Sequence, residues 1–362
     1  MLILYGLFLA VLGIYSYSLI DLNLTLINHP LWNKFRDWII QLGYFHRDTS
    51  WNIYLILVVL AFVFYYIFIS NYKKYNPISI ALLIGVILLF SYPFLSHDLF
   101  NYLFDAKIFT FYHQNPYLHK GLDFPNDPWT RFMHWTDRNY PYGPSFLLLT
   151  IVPSALSFGK FVLSFLFYKI MVVGAYFLTV ILLNRSNRKW ALVFAVHPLI
   201  LIEGLINGHN DMITLSLALS AIVFLLKNKS VSSRILLLLS AGIKYTTLPL
   251  IGLTKSKRLN QIVFIIQLAI LIYMGMKMEI QPWYYLTLFV FIPYYINLVK
   301  DLDIFLAGLI FSYYPYIRLG GWDTVEKVSI KHQIIIVFFF LNVIYIAVKY
   351  LWKRKSSAFR IR

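Results

Sequence analysis

Cysteine is absent from this chain of 362 residues, which excludes a disulfide framework, a thiolate metal site and thiol catalysis. Charge is scarce as well. Asp, Glu, Lys and Arg together make up 13% of the residues, about half the ~25% of a soluble domain. In their place the chain carries 60% hydrophobic residues, 19% aromatic residues and a mean hydropathy of +0.68. Such a composition implies a polytopic membrane protein. Acids are the rarest charged groups, 15 against 32 Lys and Arg, for a net charge of +17. In a soluble protein that surplus would point to nucleic acid. Its placement here points to topology instead, and no nucleic-acid partner is expected.

A spanning helix needs ~20 apolar residues. Stretches of that kind fall at 1–20, 51–70, 78–95, 160–183, 190–206, 211–226, 260–277, 284–299, 303–318 and 333–350. The first has no basic leader and no small-residue cleavage site, so it is expected to be retained as a span. Residues 145–157 are too short, and 235–253 is interrupted by Gly242-Ile243-Lys244 and Pro249. Both are expected to be half-helices or re-entrant elements, which the surrounding protein must satisfy. With both termini placed in the cytoplasm, this ten-span scheme puts eighteen Lys and Arg on the inner side against Asp301 and Asp303. Twelve bases and thirteen acids then fall outside. Nearly the whole charge surplus lies on one face, as the positive-inside rule requires. The expected fold is therefore all-α and polytopic, one membrane domain over 1–362 with two outer excursions at 21–50 and 96–144. Leu31, Phe35, Trp38 and Ile39 in the first of these follow helical spacing and suit a short helix lying in the interface.

The long polar segment from Ser96 to Pro144 is where chemistry is expected. Asp98, Asn101, Tyr102 and Asp105 are spaced i, i+3, i+4, i+7 and share one face if 96–109 is helical. The two carboxylates then stand ~10 Å apart along the axis, too far to work on one proton. A polar stripe on an exposed helix end would give the same spacing. Asn115-Pro116-Tyr117 reads as a turn, and Tyr140-Pro141-Tyr142-Gly143-Pro144 closes the segment with prolines that stop one element and start the next. The four histidines of the segment, His97 among them, leave room for a divalent cation. No two stand at the i, i+4 spacing of a helical ligand pair, and no metal ligand set is assigned.

Further along, Asn207-Gly208-His209-Asn210-Asp211 joins two spans, with Glu203 one turn earlier. This is a costly polar cluster unless its members bind a ligand or one another. Lys244 lies inside an apolar stretch, where a lysine is by default a functional hypothesis and a phosphate is one natural partner. Lys169 is expected to snorkel or to pair with a carboxylate. Gln281-Pro282-Trp283-Tyr284 offers aromatic faces that serve either as interface anchors or as sugar platforms.

Taken in order, these motifs resemble the GT-C superfamily of integral-membrane glycosyltransferases, and within it the bacterial polyprenyl-phosphate-dependent mannosyltransferases. The resemblance rests on His97-Asp98, Asn115-Pro116-Tyr117, Tyr140 to Pro144, Glu203 with Asn207 to Asp211, Lys244, and Pro282-Trp283-Tyr284, and it covers roughly 90–290. It implies inverting transfer of a hexose, mannose foremost, from a polyprenyl-phosphate donor to a lipid or glycan hydroxyl on the extracytoplasmic face of the cell membrane. Asp98 would be the catalytic base. The transition state is oxocarbenium-like, and the departing phosphate needs cationic stabilisation, for which Lys244, His209, Arg131 and Arg138 are the candidates. His97, Asn101, Tyr102, Asp105, Asn115, Tyr140, Tyr142, Glu203, Asn210, Asp211, Trp283 and Tyr284 are the candidate substrate-binding residues. The alternative is a membrane transporter or lipid flippase with Lys169, Lys244 and Asp211 along its path. That reading would place polar groups at mid-membrane depth rather than at one surface.

Overall fold

The computed structural model describes the backbone of residues 1–359 and the side chains of residues 1–352. Arg360 and Arg362, counted on the inner side above, lie outside the described residues, as do the side chains of Lys353, Arg354 and Lys355. Every regular element among the described residues is helical, and their one extended pairing is an isolated bridge between Lys120 and Asn139. A helix satisfies its backbone groups internally, which an apolar surround demands.

The chain opens with α1 (Leu2–Tyr15), continued by a 3-10 turn to Leu19. Next comes α2 (Pro30–Ile40), whose first turn is capped by His29 Nδ1 accepting from Leu31 N. It buries Ile39 and Ile40 while Leu31 and Trp38 stay exposed and Phe35 is half-buried, so the four residues expected on one face do not share one environment. α3 (Arg47–Ser70) and α4 (Pro77–Leu88) follow. α4 stops short of the expected 78–95 because Pro93 disfavours a helical residue before it and the Ser91 hydroxyl caps the Leu88 carbonyl at 2.6 Å. α5 (Asp98–Thr110) and α6 (Pro144–Leu156) bracket the long polar segment, and α7 (Phe161–Asn184) packs against both.

α8 (Arg188–Val196) breaks at His197-Pro198, and the turns that follow, Ile200–Ile206, are bent from it by 69°. α9 (Asn210–Leu226) is buried along nearly its whole length between α7 and α10 (Ser230–Ala241). The expected break after α10 is present. Gly242 ends the helix, and residues 245–252 continue as a 3-10 segment around Pro249. α11 (Lys257–Lys277) leads to a second 3-10 segment, Pro282–Phe291. The last helices are α12 (Ile292–Asp301), α13 (Asp303–Phe311), α14 (Tyr314–Arg318) and the long α15 (Val325–Phe359).

Five of these helices are long and apolar enough to cross a membrane: α1 with its extension, α3, α7, α11 and α15. The bent pair at 188–206 would be a sixth. The sequences expected to span singly at 284–299 and 303–318 are instead segmented. Residues up to Phe291 are 3-10, Tyr295 leaves helical geometry at φ −138°, ψ 46°, and Pro315 starts a separate short helix. Each break falls at or near a proline, which cannot donate to the helix ladder.

α5 departs from the exposed-stripe alternative. Leu99 through Ile108 are all buried, Asn101, Tyr102 and Asp105 included. The segment from 111 to 143 folds back over this helix. Lys107 forms an ion pair with Asp127 beneath the Trp129 ring. The Tyr112 hydroxyl donates to the same carboxylate at 2.7 Å, and Asn139 Nδ2 donates to the Tyr117 carbonyl at 2.9 Å. Removing one partner of a buried pair of this kind costs about 3–5 kcal/mol, because the other charge is left unpaired.

Candidate active site

Asp98 begins α5, and Asp211 lies in the first turn of α9. Both carboxylates therefore sit where unpaired amide N–H groups and the helix dipole favour negative charge. The two helix starts are brought together by the 207–211 turn. Gly208 holds φ +66°, and a side chain there would lie 2.9 Å from Leu99 Cδ1 on α5, so the turn accepts only glycine. Its carbonyl accepts from the Tyr168 hydroxyl at 2.8 Å. Lys169 neither snorkels nor meets a carboxylate, contrary to expectation. Its buried ammonium donates to Ser91 Oγ at 3.0 Å, to the Ile206 carbonyl at 3.1 Å and to the Leu205 carbonyl. It ties α7 to the segment that leads into the turn.

The chemistry of the site starts from Asp98. Its Oδ1 accepts from the Trp135 indole N–H at 3.2 Å, and its Oδ2 faces His209 Nδ1 at 3.6 Å. The far nitrogen of His209 is 3.4 Å from Glu203 Oε2, so the imidazole lies between two carboxylates. Its ring also stacks on Trp283, with centroids 3.9 Å apart and planes 17° from parallel. Asn207 Nδ2 donates to Glu203 Oε2 at 2.9 Å, and its carbonyl accepts from Leu95 N. Asp211 Oδ2 pairs with Lys244 Nζ at 2.5 Å, and the ammonium also lies 4.8 Å from the centre of the Tyr284 ring. Several buried polar atoms of this cluster have no protein partner: both side-chain atoms of Asn210, Asp211 Oδ1 and Glu203 Oε1. Native cores rarely leave such groups unpaired away from functional sites.

Asp98 and Lys244 line one cavity of about 910 Å³, within the range of small-molecule sites. Tyr142, Trp135, Trp283, Tyr284 and Trp322 give it aromatic walls, and Arg47, Arg138 and Lys244 give it three cations. Arg138 is fixed over the Trp135 ring at 4.2 Å. Arg47 donates to the Ile317 carbonyl at 3.2 Å. Glu279 on the same wall is already paired with Lys331 at 3.1 Å and His332 at 2.9 Å. Beside Asp98, His97 faces Asp21 at 3.5 Å and stacks on His134, with centroids 3.6 Å apart. Burial opposes ionisation of Asp21, but hydrogen bonds from His97 and from Asn23 N outweigh it and hold its carboxyl below the usual range. Burial, with the neighbouring His97, pushes the His134 imidazole down to about 4.

The candidates therefore divide. Asp98, His97, Tyr142, Lys244, Arg138, Trp283 and Tyr284 line the cavity, while His209, Asp211, Asn210 and Glu203 form the buried layer behind it. Asn101, with Nδ2 donating to the Trp135 carbonyl at 2.9 Å, supports that layer from the side. Tyr102, stacked edge-on against Tyr142, does the same. Tyr140 is buried with its ring against Tyr142. Asp105 is buried off the cavity, and burial, only partly offset by Arg138, raises its carboxyl to about 8. Arg131 and Asn115 lie elsewhere. Arg131 Nε donates to the Pro128 carbonyl, and the Asn115 side chain accepts from Tyr117 N in its own turn. Asp21, Arg47, His134 and Trp135 join the cavity without having been singled out in the sequence. Asp21 and Arg47 sit in the first outer excursion, and only the tertiary fold brings them to Asp98.

A family model described as Alpha-(1->6)-mannopyranosyltransferase, N-terminal domain, matches residues 25–256. The matched stretch holds Asp98, the 207–211 turn and Lys244, and ends before Trp283. No curated protein and no solved structure matches the chain.

Proposed function

Starting from the fact that the chain belongs to the alpha-(1->6)-mannopyranosyltransferase N-terminal domain family and is a membrane mannosyltransferase, we propose that it moves mannose from a polyprenyl-phosphate donor to a lipid or glycan hydroxyl, with inversion, at the extracytoplasmic face. The observation that carries this reading is that Asp98 and Lys244 share one aromatic-walled cavity. An α-linked product reached by a single displacement requires a β-linked sugar phosphate.

In this mechanism Asp98 is the base. The acceptor hydroxyl hydrogen-bonds to the carboxylate, attacks the anomeric carbon as the sugar–phosphate bond lengthens, and gives up its proton late. The Trp135 indole N–H donates to the carboxylate and orients it, with the His209 ring 3.6 Å from its other oxygen, so little reorganisation is needed at the moment of transfer. Lys244 meets the departing phosphate, with Arg138 and Arg47 alongside. Asp211 holds the ammonium in place, and His209 fixes the Trp283 face against which the sugar stacks.

The lipid chain leaves sideways, between the 245–252 segment and α11. Tyr245, Met274 and Met278 line the cavity there, and Tyr245, Leu248, Met276 and Met278 expose apolar surface outward. In the topology that serves this reading, both termini are cytoplasmic and the connections rich in Lys and Arg face inward. The whole chain forms one membrane domain, with 21–50 and 96–144 outside as the interfacial-helix loop and the catalytic loop. The direct test supplies purified protein with radiolabelled polyprenyl-phosphate mannose and, separately, glucose and arabinose donors. Label transferred from the mannosyl lipid alone supports the proposal. Label taken only from a nucleotide sugar, or movement of lipid without turnover, overturns it.

A further inference from the structure

Asp21, His97 and His134 come from three separate parts of the chain: the stretch after α1, the residue that precedes α5, and the loop over α5. Each offers one ligating atom, and these atoms lie within 4.8 Å of one another, with His97 Nε2 and Asp21 Oδ2 3.5 Å apart. In a tetrahedral site with bonds of about 2.0–2.1 Å, neighbouring ligand atoms stand roughly 3.3–3.4 Å apart. The His97–Asp21 edge is already close to that length. Closing the triangle takes a rotation of His134, the exposed member of the three and the one carried by a loop. Asp21 is fixed from behind, its Oδ1 accepting from Asn23 N at 2.8 Å and its own N–H donating to the Tyr92 hydroxyl at 3.0 Å, the kind of outer support that orients metal ligands. All three side chains line the cavity that holds Asp98.

We propose that Asp21, His97 and His134 bind one divalent transition-metal ion, with its open positions facing the cavity beside Asp98. Two imidazoles and a carboxylate are the donor set of zinc, manganese and cobalt sites rather than of magnesium. Neither the i, i+4 spacing of a helical pair nor any local motif marks this trio in the sequence, because its members are 76 and 37 residues apart. A role for the ion in holding a donor phosphoryl oxygen rests on the reading of the cavity given above. Binding of the ion does not.

The test therefore measures metal and not turnover. Full-length protein in detergent, freed of any histidine tag and stripped with chelator, is titrated with Zn²⁺, Mn²⁺ or Mg²⁺ alone, and bound metal is counted after desalting. Co²⁺ substitution adds a d–d spectrum that reports the ligands. We expect one equivalent of Zn²⁺ or Mn²⁺, no competition from Mg²⁺, and affinity lowered at least tenfold in both His134→Ala and Asp21→Asn. Removing even an outer-sphere partner of a metal ligand commonly costs 10–100-fold. His134 is exposed on a loop, so His134→Ala should keep the wild-type elution profile. If it does not, Asp21→Asn decides. Absence of saturable binding in the wild type, or binding undiminished in the variants, overturns the site. If metal binds as expected while no mannosyl lipid is turned over, the donor reading fails and the metal site stands.

Discussion

Replacing Asp98 with asparagine isolates the proposed base. The amide keeps the side chain's volume, and its oxygen can still accept from the Trp135 indole N–H that now lies 3.2 Å from Oδ1. What disappears is the capacity to take a proton and the charge facing His209 at 3.6 Å. A positioned general base contributes about 10²–10⁴-fold to a rate, equivalent to ~3–5 kcal/mol of barrier. The structural loss is smaller. One charge-assisted hydrogen bond becomes neutral at a partly open site, a difference on the order of 1 kcal/mol. We therefore expect mannosyl transfer to fall by two to four orders of magnitude in Asp98→Asn. The thermal unfolding temperature should move by only a few degrees, and binding of a non-transferable donor analogue should stay within threefold. Asp98→Glu keeps the charge but displaces it by one methylene, and should recover part of the lost rate. The assay is label transfer from synthetic polyprenyl-phosphate mannose, with unfolding followed in parallel on the same preparation. An asparagine variant that retains a tenth or more of wild-type turnover would refute the argument.

Lys244→Met should cut transfer by at least a hundredfold and destabilise the protein by about 3–5 kcal/mol, because it leaves the buried Asp211 carboxylate unpaired. Adding Asp211→Asn should restore much of the stability and none of the turnover, and a double variant that regains activity would remove Lys244 from the phosphate role. Asp105, raised by burial to about 8, binds its proton more tightly when folded than when unfolded, so its contribution weakens the fold as pH rises from about 4 to 8. Asp105→Asn should therefore stabilise at pH 8, by up to roughly 5 kcal/mol, with the gain fading towards pH 4. Urea titrations across that range check the sign. Because the chain has no cysteine, single cysteines report topology cleanly. Gln114→Cys should react with an impermeant maleimide on intact cells, and Lys229→Cys only after permeabilisation, whereas the reverse pattern would invert the orientation proposed above.

Much of this arrangement could be read from the residues. Asp98 directly after an apolar run, the polar turn at 207–211 and a lysine in a broken stretch each carry a local cost, so each stands out against an apolar background. The break at Gly242 and the helix at 30–40 were legible for the same reason, from punctuation and spacing. Burial of α5 was not. Its polar stripe looks solvent-facing until the 111–143 segment folds over it, a closure that includes the Lys107–Asp127 pair, two residues unremarkable in sequence. Hydropathy also overstated continuity. Prolines at 293 and 315 split apolar stretches that a window average treats as whole. Asp21, Arg47 and His134 escaped notice because nothing near them in the chain is unusual, and their meaning comes only from what they face. Arg131 drew attention as a cation in the right loop, yet its side chain is spent on its own turn.

The meeting of Gly143 and Gly242 has a consequence for how such a protein can diversify. Gly143 N donates to the Ile243 carbonyl at 3.1 Å and Ser145 N to the Gly242 carbonyl at 3.0 Å, while a β-carbon on Gly143 would sit 2.1 Å from Gly242 O. Main chain is thus riveted to main chain one residue from Tyr142 and two residues from Lys244, so the gap between those two walls is set by amides and not by side chains. Substitutions that reshape the walls for a different sugar leave that gap intact, whereas a single methyl group on Gly143 would pry them apart.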